Sequence, residues 1–329
     1  MSEHRRGERG LFGQAIVNTG DQELVRTVRL ALRAARRHLA DHAHVKAPKK
    51  FTQPQLLACL ILKAITGATY RRTEEMLILM PAVREALGLR DVPRFTTLQA
   101  FADRPDVLAL IDAVLRTLGR AAMKHQRQDA ALDGTGVETT SASAHFVSRA
   151  GRKRTKFVKL MLGVLCASVM PAALVVDWGP SHDMRQAWAA RDKLLGACGG
   201  DRPTMLWGDG AFDSEAWHAS NWDDHRTPSY APVTVRSKEG RVHGRHRAVF
   251  AEMRPREYGR RWMCESVNSA IKRMTGSTLR SRKQNTMFAE AAFKVLAYAA
   301  KVERSHGHNG SSGQSKGRPC PACQPAGRT

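Results

Sequence analysis

Apolar positions along the 329-residue chain change their spacing near residue 129. Before that point they recur every three or four residues, the period of helices that pack one face. Leu24, Val28, Ala31, Ala35 and Leu39 predict a helix within 21–40, on which Arg26, Arg29, Arg33 and Arg36 form a second stripe. Such a stripe is either a solvated face or a line of phosphate contacts. Thr52 is placed to cap a helix whose face is Leu56, Leu57, Leu60, Ile61, Ala64 and Ile65, and Gly67 to end it. Further helices are predicted over 73–87, 96–101 and 107–124, so 21–125 reads as an all-α region.

Beyond 129 the texture becomes short apolar runs. Residues 157–169 are almost continuously apolar, as in a strand buried on both faces. Pro171 interrupts the run and 172–178 follows as its hairpin partner. A helix is expected over 182–195, strands over 204–207 and 229–235, and two closing helices over 258–274 and 286–302. A three-strand meander followed by alternating helix and strand is an α/β plan. Residues 1–20 are basic, and Gly, Ser, Pro and Lys dominate after Ser305; segments 1–20 and 303–329 are therefore expected to be disordered tails. The path of 236–257 is not predicted.

Charge narrows the partners. Fifty-three Lys and Arg against thirty acids give +23 and a pI near 10.6. That excess concentrates polyanions, and nucleic acid is the expected one because each neutralised phosphate releases counterions. No run of about 18 apolar residues is present, and Met1–Arg6 has no apolar signal core, so no membrane partner is expected and the location is cytoplasmic and nucleoid-associated. A ribosomal or nucleoid protein without chemistry is the bland alternative. Compact helical clusters often enter the DNA major groove, which makes 21–125 the expected DNA-binding region, although no specific helix-turn-helix signature stands out.

Candidate chemistry lies in 258–272. At roughly 100° per residue, Tyr258, Arg261, Glu265 and Lys272 project within a sector of about 60°. Met263, Val267, Ala270, Ile271 and Met274 fall opposite, as the docking face. An ordinary amphipathic helix with an Arg261–Glu265 pair would look the same. Two upstream aspartates change the balance. Asp133 ends the apolar run Ala130-Ala-Leu, and Asp209 follows Met205-Leu-Trp-Gly, so both are expected at strand ends, where α/β sheets place ligands. Each alone reads equally as a turn residue or helix cap. Together with Glu265 they supply the oxygen ligands that magnesium takes.

These residues resemble the bacterial insertion-sequence transposases with a DDE catalytic triad, in the group marked by Tyr, Arg, Glu and Lys on one helix. Tyr258, Arg261, Glu265 and Lys272 reproduce that group's spacing. Gly208-Asp209-Gly210-Ala211-Phe212-Asp213-Ser214 is similar to the second-aspartate block, with Gly, Ala and Phe replacing its usual Ala, Gly and Tyr. Leu132-Asp133-Gly134-Thr135 is similar to the first. The resemblance covers 129–302 and implies an RNase H-like mixed sheet flanked by helices. It implies Asp133, Asp209 and Glu265 as catalytic and metal-holding residues with two Mg2+ ions (Mn2+ able to substitute). It further implies binding of the element's terminal inverted repeats, then strand cleavage and transfer into target DNA. The enzyme would be endonuclease and strand transferase, and a homodimer on paired ends.

Tyr258, Arg261 and Lys272 are expected to grip phosphate near the scissile bond. Arg260 and Arg273, with Arg254, Arg256, Arg280, Arg282 and Lys283, and the run Arg149, Arg152, Lys153, Arg154, Lys156 and Lys159, read as DNA path or as solvated faces. Asp213 is an alternative second ligand, and His182-Asp183 reads either as a helix cap or as chemistry. Asp129 and Asp177 read as structural. Cys320 and Cys323 have metal-site spacing but lack a second pair; the other cysteines read as reduced core residues. Two rivals remain, a silent DNA-binding derivative and a nuclease that cuts without joining.

Overall fold

The computed structural model describes residues 23–139, 157–235, 240–252 and 255–309. Six helices come first: α1 (Glu23–Arg36), α2 (Gln53–Thr66), α3 (Tyr70–Leu79), α4 (Pro81–Leu87), α5 (Phe95–Ala102) and α6 (Val107–His125). Helix α2 is bounded as its sequence dictates. Thr52 and Gln55 form a reciprocal capping box, and Gly67 closes the C-terminus in the left-handed region at φ 60°. The single helix expected over 73–87 is two, because Pro81 cannot donate into a continuing ladder and opens α4 instead.

Strands β1 (Ala130–Val137), β2 (Phe157–Leu165) and β3 (Met170–Gly179) form an antiparallel meander. Pro171 does not interrupt the hairpin; it lies within β3 opposite Val164, where the register shifts by a bulge that tolerates the missing N–H. Helix α7 (Met184–Cys198) leads to β4 (Leu206–Trp207), a 3-10 turn (Gly210–Phe212), α8 (Glu215–Asp223) and β5 (Ser229–Tyr230). Sheet order is β3-β2-β1-β4-β5, with β4 parallel to both β1 and β5. The mixed sheet and flanking helices expected for this part of the chain are present. Within the stretch whose path was not predicted, Arg245–Glu252 forms α9.

A 3-10 turn (Arg256–Arg261) precedes α10 (Trp262–Thr275), and α11 (Gln284–Asn309) ends the described chain. Helix α11 thus continues past the start expected for the C-terminal tail. Both α6 and α11 pack on β3, while α1 and α2 pack on α11. Buried apolar residues from Val25 to Val302 form one continuous cluster across these layers. No helix among the described residues is long and apolar enough to cross a membrane.

Candidate active site

Asp133 is not at a strand end. It is the fourth residue of β1, paired with Leu162 on β2, and β1 runs on to Val137 because β2 offers eight consecutive partners. The carboxyl therefore rises from the middle of the sheet and is half-buried. Asp209 stands two residues beyond β4 and opens the 3-10 turn, its Oδ1 accepting from Ala211 N at 2.8 Å. Since β1 and β4 are parallel neighbours in register at Ala131 and Trp207, Asp133 and Asp209 each follow that pair by two residues.

Glu265 enters from α10. The predicted single helix from 258 is a 3-10 turn followed by α-helix, so Tyr258 and Arg261 are offered by the turn and Glu265 and Lys272 by the helix. The packed face also differs from the expected one: Cys264, Val267, Asn268, Ile271 and Thr275 are buried, while Met263, Ala270 and Met274 are only partly covered. Cys264 seats against β2, its Sγ 3.9 Å from Leu162 O, which rotates the helix so that Asn268 faces β1. Asn268 Nδ2 donates to Asp133 Oδ2 at 2.8 Å. Glu265 pairs with Arg261 at 2.5 Å, the i, i+4 pair read from the sequence.

Asp133, Thr135, Glu265, Asn268, Lys272 and Arg273 line an open cleft of about 530 Å3. Burial pushes the Asp133 carboxyl up to about 6; nearby Asp209, Glu265 and Asp183 push the same way, and the Arg261 guanidinium opposes them. Burial lowers Lys272, against the pull of Glu138 and Asp133. Burial also raises Tyr258, whose hydroxyl donates to Gly208 O at 3.4 Å beside Asp209.

Among the described residues, no three His, Cys, Asp or Glu side chains stand close enough to hold a metal ion. Asp133 holds Asn268, Asp209 caps its turn and Glu265 holds Arg261. The donor set nevertheless fits a hard divalent cation: Asp209 and Glu265 lie near enough to the half-buried Asp133 to act on its charge, and the amide oxygen of Asn268 has no hydrogen-bond partner among the described residues.

Asp213, the alternative to Asp209, is fully buried and committed elsewhere. Arg247 forks onto it at 2.7 and 2.8 Å, and Thr234 N donates at 2.8 Å. Asp183 does not cap α7 with its side chain; it pairs with Lys159 at 2.5 Å and overhangs Gly134, where an added Cβ would lie 2.7 Å from its Oδ1. His182 Nδ1 accepts from Met184 N at 3.3 Å, a capping contact. Lys159 does not belong to an exposed basic run: it is buried and also donates to Ser181 O. Arg260 reaches back to the buried Asp129, which also accepts from Trp207 Nε1. Asp177 accepts from Trp178 N and Gln186. Arg149, Arg152, Lys153, Arg154, Lys156, Arg254, Cys320 and Cys323 lie outside the described residues. Asn268 was missed by sequence reasoning, although ten residues after Tyr258 set it at about 280° on the same wheel, beside the acidic sector.

Residues 124–300 match the family model described as Transposase DDE domain, and the chain belongs to that family. No curated protein matches it. Membership makes the domain RNase H-like, and at the level of the family it carries a DNA substrate and divalent-metal dependence.

Proposed function

We propose that this transposase binds the terminal inverted repeats of its mobile element, cuts there and joins the freed ends to target DNA, using Asp133, Asp209 and Glu265. The observation that carries the reading is the half-buried Asp133 carboxyl, within the field of Asp209 and Glu265 beside a cleft walled by Lys272 and Arg273. Asp133, Asp209 and Glu265 would hold two divalent ions, magnesium on this reading, which would supply Lewis-acid polarisation of the scissile phosphodiester and a water nucleophile at neutral pH.

The chain's own residues supply position. Lys272 and Arg273 hold phosphate oxygens along the cleft, and Arg261, once released by Glu265, forks onto the phosphate next to the break. Tyr258 sits between the second acid and that arginine and orients the strand. Water attacks phosphorus, the P–O3′ bond breaks, and a 3′-hydroxyl and a 5′-phosphate are left. That hydroxyl then attacks a target phosphodiester, forming a new P–O bond and releasing the target's own 3′-hydroxyl. Arg260, Arg152, Lys153 and Arg154 extend the DNA path, helices within 21–125 read the element's ends, and paired ends are held by a homodimer in the nucleoid.

Glu265→Gln tests the assignment on end DNA with magnesium. We expect nicking and joining to fall at least about 1,000-fold, the scale of losing a group that acts as a unit with its partners, while DNA binding holds. Unchanged cleavage in the variant would remove Glu265 from the triad. Cutting without joined products would favour a nuclease, and binding without cleavage by either protein a silent DNA-binding derivative.

A further inference from the structure

Asn268 follows Glu265 by three residues on α10, so the two side chains leave neighbouring turns on one side of the helix. It is only 6% exposed, yet it lines the catalytic cleft. Its Nδ2 crosses from helix to sheet and donates to Asp133 Oδ2 at 2.8 Å. Its orientation is dictated by that partner. Turning the amide over would set Oδ1 against a carboxylate oxygen, so only the N–H end can face Asp133. The other end, Oδ1, is buried with no partner among the described residues.

A buried acceptor without a partner is a cost that packing alone does not explain. A leucine of similar size would fill the space between α10 and β1 without it. The bond itself falls on a carboxyl that Asp209, Glu265 and Asp183 all act on through charge. Arg261 and Lys272 act on Asp133 through charge, but among the described residues Asn268 alone donates a hydrogen bond to its carboxylate.

We propose that Asn268 is a positioning residue, whose amide N–H ties up Asp133 Oδ2 and so presents Oδ1 to the divalent cation. This rests on the reading that Asp133 holds that cation. The same bond fixes the spacing of α10 from β1, so Glu265 and Asp133 approach the cation from a set separation. Oxygen ligands are commonly held in this way by outer hydrogen bonds, and loss of such a partner weakens metal binding about 10–100-fold.

The test is Mn2+ affinity of the full chain without DNA, read from the resonance of free Mn2+, together with melting temperature. The variants are Asn268→Leu, which removes the donor and keeps the bulk, Asn268→His, which retains an N–H, and Asp133→Asn. We expect Asn268→Leu to bind Mn2+ about 10–100-fold more weakly while melting at or above wild type, with Asn268→His recovering part of the loss. A fall in melting temperature alongside the lost affinity would assign Asn268 to packing and overturn the proposal. So would wild-type affinity in Asn268→Leu when Asp133→Asn has lost Mn2+, a result that leaves the reading of Asp133 intact. If Asp133→Asn binds Mn2+ like wild type, the cation is held elsewhere and that reading fails first.

Discussion

At the scale of single residues, burial and partners separate acids that the sequence presents side by side. Asp209 and Asp213 sit four residues apart in one block, and only three-dimensional structure shows that Arg247 has claimed the second. Removing one partner of a buried ion pair leaves an uncompensated charge, a loss of about 3–5 kcal/mol. Asp213→Asn should therefore unfold at markedly lower urea, whereas Asp209→Asn should keep the wild-type midpoint and lose cleavage. Equal stability of the two variants in a denaturation series would sink the distinction. His218 gives a second residue-scale expectation. It is buried, with Nδ1 2.9 Å from Ser229 Oγ and no partner for Nε2 among the described residues. Burial pushes its pKa down from 6.5 to about 4, against the opposing pull of Asp213. Between those values the unfolded chain binds a proton that the folded one refuses, so stability is lost as pH falls through that window. The slope approaches one proton, about 1.4 kcal/mol per pH unit. Urea midpoints measured from pH 7 to 4 should decline less steeply in His218→Gln than in wild type.

At the scale of elements, the sequence was most informative where a local signal sufficed. The cap at Thr52, the end at Gly67 and the order meander, helix, strand, strand follow from turn chemistry and periodicity, whereas α8 between the last two strands was not predicted. It was least informative where tertiary pairing decides. The length of β1 past Asp133 depends on β2, and the rotation of α10 depends on Cys264 seating against β2. The 3-10 geometry of Arg256–Arg261 also had no unambiguous signature, since the spacing of three between Tyr258 and Arg261 suits either helix. Another contact invisible in the sequence fixes α10 at its far end. Lys294 on α11 donates to Thr275 O, Gly276 O and Thr278 O at 2.7, 2.8 and 3.1 Å. Thr275 O and Gly276 O are carbonyls that the end of α10 leaves without intrahelical partners, and Thr278 O lies in the turn beyond it. The same turn is stitched to the end of β1, where Glu138 N donates to Ser277 O and Leu279 N to Glu138 O. Lys294→Met keeps the stem and removes the ammonium, at about 1–3 kcal/mol for a buried acceptor left unmade. Amide exchange should then accelerate through 275–279, and cleavage should fall with it. Protection unchanged at Leu279 would show that the strand contact alone holds the turn.

At the scale of the whole molecule, the legible boundary near residue 129 is a change of texture and not a gap in the core. Helix α11, last in the described chain, is covered on one side by β3 and α6 and on others by α1 and α2. Ala289, Ala292, Phe293, Leu296 and Ala300 are all buried in it. Lys63 on α2 and Glu290 on α11 add a buried ion pair at 3.6 Å, each side chain 7% exposed. Glu290 in turn accepts from Arg280 N and Ser281 N in the segment after α10. The N-terminal helices are thereby joined to α10 through continuous packing, so a DNA-reading region at 21–125 would not be a free module on a tether. Two separable domains would melt apart, but a shared core must open together. Calorimetry of the full chain should give one transition whose calorimetric and van't Hoff enthalpies agree. A chain beginning after α5 should lose that transition, because deleting α1 and α2 strips the cover from α11. Two transitions in the full chain, or a cooperative melt in the shortened one, would show that the catalytic layer stands alone and that its contacts with α1 and α2 are dispensable.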